Sequence, residues 1–321
     1  MSTFFVCERA RSLDLVELKA KIKSLNEALW ENKADWPVVQ EWLENFAAPG
    51  DPSERLHALH LLAQFMYFGS REMRELLRAL YRDHYQYPLV ERIRRENGNT
   101  ADMDLIQTLY AERLNHTRFL GVGNPAESGT HLLYYFRQEN LLPKTLFIHS
   151  HQIFAPRTVG GTAPALRSPD VTNYVFIDDL CGSGRQAKEY STEIVEEIKR
   201  LRSDVFVRYF VLFGTSHGLH EVRTSCSFDE VRALYELDES FKCFHPSSRY
   251  FTPHDVGIDK GFAERICRAY GNRLLPSHPL GYRDGQLLLG FHHNVPDNTL
   301  PIIWSEDAWQ PAFRRYPKVY E

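Results

Sequence analysis

Apolar positions in the first hundred residues recur at steps of three and four. Leu15, Leu18, Ile22, Leu25 and Leu29 fall on one helical face, and Trp36, Val39, Leu43 and Phe46 continue the habit after a break. Asp51-Pro52-Ser53-Glu54 has the acid, proline and glutamate of a helix start, and Leu56, Leu59, Leu62 and Phe65 then supply a buried stripe. A further helix is predicted from Ser70, carrying Met73, Leu76, Leu77 and Leu80. The polar run RRENGNTAD, Arg94 to Asp102, reads as a linker that closes a helical domain, residues 1–104. Trp30, Trp36 and Trp42 are expected in its core, and any exposed subset would offer a partner surface.

From about Thr117 the pattern changes. The short apolar runs TRFLGVG, TLFIHSHQIF, NYVFIDD and VFVRYFVLFG alternate with the helical segments THLLYYFRQEN and RQAKEYSTEIVEEIKRLRS. Strands joined through helices imply right-handed crossovers and a mostly parallel sheet, so residues 105–321 are predicted to be an α/β domain. Its last part, Ser225 to Glu321, is rich in aromatics and prolines and is expected to form an edge hairpin and a cap, or hood, over the site.

Composition narrows the class without choosing a function. With 321 residues the chain can bury a large core, and a net charge of -4 gives no electrostatic case for broad binding to nucleic acid or membrane. Five cysteines without a CxxC pair suit reduced thiols better than a disulfide framework or a zinc site. Charged residues stand where a signal peptide would keep its apolar region, and no apolar stretch reaches membrane-spanning length. A cytoplasmic protein is expected.

The most informative stretch is YVFIDDLCGSGRQA, Tyr174 to Ala187. Two acids end an apolar run, and a turn of small residues follows. Three chemistries are compatible with it. Gly182-Ser183-Gly184-Arg185-Gln186-Ala187 fits GxGxxA, but Asp-Asp-Leu-Cys intervenes before the first glycine and the next strand ends without the acid that would hold a ribose. An NTPase acidic strand would require a GxxxxGK[ST] loop, which the chain lacks. In a phosphoribosyl site the acids accept hydrogen bonds from the ribose diol, and the turn presents converging N–H groups to the 5′-phosphate. The plain alternative is a helix-capping turn with solvated acids.

VFIDDLCGSGRQA resembles the phosphoribosyl-pyrophosphate signature of type I phosphoribosyltransferases. Together with GNPAESGTHLLYYFRQENLLP and GYRDGQLLLGFHHNVPDNTLPIIW it is similar to the phosphoribosyltransferase-like family of bacterial conflict systems, over roughly Leu105 to Trp304. The resemblance implies a type I phosphoribosyltransferase-like sheet. It implies that Asp178 and Asp179 contact the ribose hydroxyls and the shell of a magnesium ion, held by the ligand and not directly by the protein. Gly182, Ser183, Gly184, Arg185 and Gln186 become the phosphate-binding turn, and Gly123, Asn124, Glu127, Ser128 and Gly129 fall in the pyrophosphate loop. Arg185 and Gln186 depart from the glycine and hydroxyl residue usual in metabolic enzymes. The first offers a bidentate phosphate partner or a block to the loop.

Other candidates surround this centre. Arg157 and Arg167 lie where transferases carry a mobile loop; Asn294 and Asn298, in NVPDNTLP, either read a base edge or make a turn. His149 and His151 alternate on a predicted strand and would need Asp178 beside them to hold a metal. His217, His220, His292 and His293 lack a supporting carboxylate cluster, and Cys181 is either reactive or simply small enough for its loop. The resemblance implies an antiphage defence effector, toxin-like, that binds phosphoribosyl pyrophosphate or a nucleotide and cleaves or transfers at the anomeric carbon. Its partners would be products of a defence locus, such as a retron reverse transcriptase with its RNA and DNA or an ATPase, or a second copy of the chain. A catalytically silent nucleotide sensor in a defence complex is the other reading.

Overall fold

The computed structural model describes residues 15–46, 52–123, 128–155, 165–253, 255 and 257–315. The chain forms two compact units, and the first is discontinuous: residues 1–70 with 238–321. The second is residues 71–237.

The first unit draws on both ends of the chain. Helices α1 (Leu15–Ala28), α2 (Trp36–Glu44) and α3 (Ser53–Leu62) and the short strand β1 (Met66–Phe68) come from the amino-terminal part. Their apolar stripes share one core with the carboxyl-terminal segment. Trp30 and Trp42 are fully buried, and Trp36 packs against the same core from its edge. The indole N–H of Trp42 donates to the Ile302 carbonyl at 2.7 Å, a bond across 260 residues. This sharing explains why the chain does not divide at residue 104. The helical stripes at the start are completed by residues near the end, which local periodicity does not reveal.

The second unit opens with α4 (Ser70–Tyr81), which begins at Ser70 as the pattern predicts and continues through a π-helical turn into α5 (Tyr87–Glu96). The run expected to be a linker is only a tight corner. Gly98 and Asn99 adopt left-handed φ of 67° and 58°, and the Asp102 carboxylate then caps α6 (Met103–Asn115) by accepting from the Asp104 and Leu105 amides.

Four parallel strands follow: β2 (Thr117–Gly121), β3 (Asn173–Cys181), β4 (Phe206–Thr215) and β5 (Glu230–Leu237), in the order β2-β3-β4-β5. Between them lie α7 (Ser128–Glu139), the pair α8 (Arg185–Tyr190) and α9 (Glu196–Leu201) joined by a π-helical turn, and α10 (Ser216–Ser225). On one face of the sheet Tyr174, Phe176, Tyr209 and Val211 pack with Ala187, Val195, Ile198, Leu219 and Val222 of α8 to α10. On the other, Phe119 meets the rings of Tyr85 and Phe136 at 5.3 and 5.4 Å. The mostly parallel α/β fold flanked by helices is therefore the observed one.

TLFIHSHQIF does not form the strand its alternation predicts. Two 3₁₀ turns, Lys144–Leu146 and Ser150–Gln152, interrupt it, leaving one parallel bridge from Phe147 to Phe119. That bridge fixes the topology. Phe119 already pairs with Val175 of β3, so Phe147 lies on the opposite side of β2. The chain leaves β2 in one direction and returns to β3 in the other. This reversal is a topological switch point, beyond which open α/β sheets place their ligands.

The first unit resumes with α11 (Lys260–Leu274), β6 (Leu289–Phe291) and α12 (Pro301–Trp304). Strand β6 pairs in parallel with β1, Tyr67 opposite Gly290. The hairpin expected here does not appear among the described residues.

Candidate functional site

The carboxyl ends of β2 and β3 lie side by side at the switch point. The ladder continues one residue past β2, because the Val122 amide donates to the Ile177 carbonyl at 3.1 Å. Gly123 and Asp178 therefore follow directly on the last backbone bond between β2 and β3.

The two acids differ in setting. Asp178 is only 4% exposed. Its Oδ2 accepts from the Tyr209 hydroxyl at 2.9 Å, and its Oδ1 accepts from the Asp179 amide at 2.9 Å. Asp179 is half-buried, and its Oδ1 accepts from the Leu180 amide at 2.8 Å. The strand thus carries one buried carboxylate and one more accessible one. Tyr209 is fully enclosed; burial and the adjacent Asp178 charge raise its pKa well above the ordinary phenol value. It stays protonated and serves as a donor.

The turn after the acids is held by close backbone packing. Gly184 has a φ of +73°, and a Cβ there would stand 2.9 Å from the Gly218 carbonyl oxygen. A Cβ on Gly218 would stand 2.4 Å from the Gly182 carbonyl oxygen. Glycine at both positions lets the start of α10 approach the turn. Thr215 completes the clamp, donating through Oγ1 to the Gly182 carbonyl at 2.5 Å and accepting from the Gly218 amide at 2.9 Å. Gly182 and Ser183 stay half-exposed. From the other side, the Tyr190 hydroxyl donates to the Gly123 carbonyl at 2.6 Å, tying α8 to the end of β2.

Arg185 opens α8 and pairs with Glu189 one turn later at 2.7 Å, its side chain 60% exposed; Gln186 beside it is half-buried. Cys181 is buried, and burial with the neighbouring Asp178 charge pushes its thiol up to about 12. That excludes a reactive thiolate and leaves the small, fitting residue.

The remaining predicted residues are scattered. Gly123 has a φ of +104°, while Ser128 and Gly129 begin α7. Asn124, Glu127 and Arg157 lie outside the described residues. Arg167 is exposed, its amide donating to the Ile153 carbonyl at 2.8 Å. His149 precedes a 3₁₀ turn and His151 lies within it, their rings stacked 5.6 Å apart, but among the described residues no group of three His, Cys, Asp or Glu is placed to hold a metal. His217 and His220 are exposed on α10. Asn294 and Asn298 belong to the first unit. Asn298 is buried, with its amide donated to the Tyr282 carbonyl at 3.2 Å; the Asn294 Oδ1 accepts from the Val295 amide at 2.9 Å.

Tyr209, Thr215, Gly218 and Tyr190 were not singled out from the sequence. A signal for two of them exists in LFGTSHG, where a threonine at a strand end precedes a glycine by three residues, the spacing of a helix cap.

A model of the PRTase-CE family matches residues 39–315. No curated protein matches the chain. Among solved structures, a hypothetical protein from Neisseria gonorrhoeae with bound ppGpp aligns with a TM-score of 0.27 at 11% identity, over 55% of this chain and 85% of its own. The xanthine-guanine-hypoxanthine phosphoribosyltransferase of Helicobacter pylori aligns with a TM-score of 0.26 at 10% identity, over 54% and 89%. The hypoxanthine phosphoribosyltransferase of Trypanosoma cruzi, complexed with its product IMP, aligns with a TM-score of 0.25 at 13% identity, over 53% and 75%.

Proposed function

Because the chain belongs to the PRTase-CE family, we propose that it binds phosphoribosyl pyrophosphate, or a nucleotide carrying a phosphoribosyl group, at the carboxyl ends of β2 and β3. The observation that carries this reading is the placement of Asp178, Asp179 and the clamped turn 182–184 at the sheet's switch point. Asp179 accepts the ribose hydroxyls. Asp178, held by Tyr209, fixes the strand end and adds its charge. The amides of the turn and the start of α8 receive the 5′-phosphate. Magnesium, carried by the ligand's own oxygens beside Asp178 and Asp179, would neutralise pyrophosphate charge; two carboxylates with no third protein ligand among the described residues suit such a shared ion.

Phosphate and diol contacts leave the anomeric carbon free to develop positive charge. The bond to pyrophosphate or to the base then breaks with its electron pair leaving on that group, and a base nitrogen or water supplies the new bond. In a cell such a reaction would deplete the nucleotide pool, the role of a defence effector acting with other products of its locus. Those products would dock on the helices of residues 1–104. The silent-sensor reading rests on Arg185 and Gln186 directly after Gly184, where metabolic enzymes keep a glycine and a hydroxyl residue.

Incubation with magnesium and phosphoribosyl pyrophosphate, or with a panel of nucleotides, separates the two. Released pyrophosphate or free base, lost in the Asp178→Asn/Asp179→Asn double variant, supports catalysis. Saturable binding without product supports the sensor. Neither binding nor product rejects the site.

A further inference from the structure

The opposite end of the same sheet carries a cavity of about 310 Å³, lined by the first residues of β3, β4 and β5 and by α5. Its floor is Arg208, whose side chain is 8% exposed. The guanidinium bridges two strands, donating from Nε to Glu230 at 2.9 Å and from Nη1 to the Asn173 side-chain oxygen at 2.8 Å. Its Nη2 makes no hydrogen bond among the described residues. Burial pulls this guanidinium below its ordinary value while Glu230 opposes the shift. A largely buried guanidinium therefore keeps donor capacity that a bound acceptor could use.

The carboxylates around Arg208 are already engaged. Each carboxylate lining the cavity already has an arginine: Glu96 pairs with Arg113, Asp204 with Arg202, and Glu230 with Arg208 and Arg232. Arg92 also lines the cavity and has no carboxylate partner among the described residues. Its guanidinium stands 5.8 Å from the Phe206 ring centre, and that of Arg208 stands 4.4 Å from the same ring. Pro88 and Leu89 add apolar wall. Two guanidinium groups thus stand near one aromatic ring, in a volume at the small end of ligand pockets.

We propose that this cavity is a second binding site, for a small anion whose carboxylate or phosphate engages Arg92 and Arg208 and whose compact ring lies beside Phe206. It is separate from the site at the other end of the sheet. Asn173 and Asp179 are six residues apart on one strand, roughly 20 Å at ~3.3 Å per residue. The proposal does not depend on what binds at Asp179.

Calorimetric titration of the full-length chain with benzoate, phenyl phosphate and the neutral benzamide tests it. Saturable binding of at least one anion is expected, with benzoate against phenyl phosphate deciding between carboxylate and phosphate. Benzamide should not bind. Arg92→Gln, at an exposed position that leaves the Arg208 bridge intact, should weaken the anion by about tenfold or more, since a charge-assisted contact is removed. Asp179→Asn should leave it unchanged. Absence of saturable binding, equal binding of benzamide, full binding by Arg92→Gln, or loss of binding in Asp179→Asn would each overturn the proposal.

Discussion

Of the three segments that carry the family resemblance, two polar, glycine-punctuated ones are built in opposite ways. In residues 178–186 the glycines bring backbone together beside polar positions that remain partly accessible: Asp179, Gly182 and Ser183 are half-exposed, while Asp178 is buried. In residues 281–301 the glycines close on the segment's own asparagine. A Cβ on Gly281 would stand 2.4 Å from the Asn298 carbonyl oxygen, and one on Gly285 would stand 2.7 Å from it. Asn298 is then sealed by the Leu287 amide donating to its carbonyl at 3.0 Å and by its own amide donating to Tyr282. The lesson is that glycine and asparagine together do not announce a site. What decides is whether the polar atoms are spent inside the segment or left facing outward.

Substitutions should break the two segments differently. The largest effect is expected for Gly281→Val, which forces a φ of +94° on a β-branched residue and drives its Cβ into backbone. A loss of roughly 2–5 kcal/mol is expected, read by denaturant unfolding. Gly184→Val should cost less, roughly 1–3 kcal/mol, because its nearest backbone contact is looser. It is for this reason a poor probe of phosphate binding, since packing and ligand effects are mixed in it. Tyr209→Phe removes a buried donor from Asp178 and should cost about 1–3 kcal/mol by leaving the carboxylate short of a partner. Smallest is the response of Cys181: an alkylating reagent at pH 8 should leave it unmodified in the native protein and label it after unfolding, because its thiol titrates near 12.

Much of the second unit was legible because its signals are local. Continuous apolar runs closed by Asp178-Asp179 and by Gly214-Thr215 mark buried strands, and the small residues after Cys181 mark a turn into a helix. The parts that were not legible depend on distance. Thr215 and Tyr209 act on Gly182 and Asp178 from a strand about thirty residues away. The joining of residues 1–70 to 238–321 rests on contacts such as Trp42 with Ile302, which no window of the sequence contains. TLFIHSHQIF misleads because a segment with two isolated bridges, one of them to the sheet edge, satisfies its apolar side chains without needing a full ladder.

The central claim is that the accessible carboxylate at the end of β3 holds the ribose of a phosphoribosyl ligand. Calorimetric binding of phosphoribosyl pyrophosphate in magnesium, compared between the unaltered chain and Asp179→Asn, tests it most directly. Asp179 is half-buried at a strand end, so the melting temperature should barely move, corresponding to under ~0.5 kcal/mol. Affinity should fall by about ten- to more than a hundredfold, the effect of removing charged hydrogen bonds worth roughly 1.5–3 kcal/mol. Unchanged affinity in a folded Asp179→Asn chain would contradict the account.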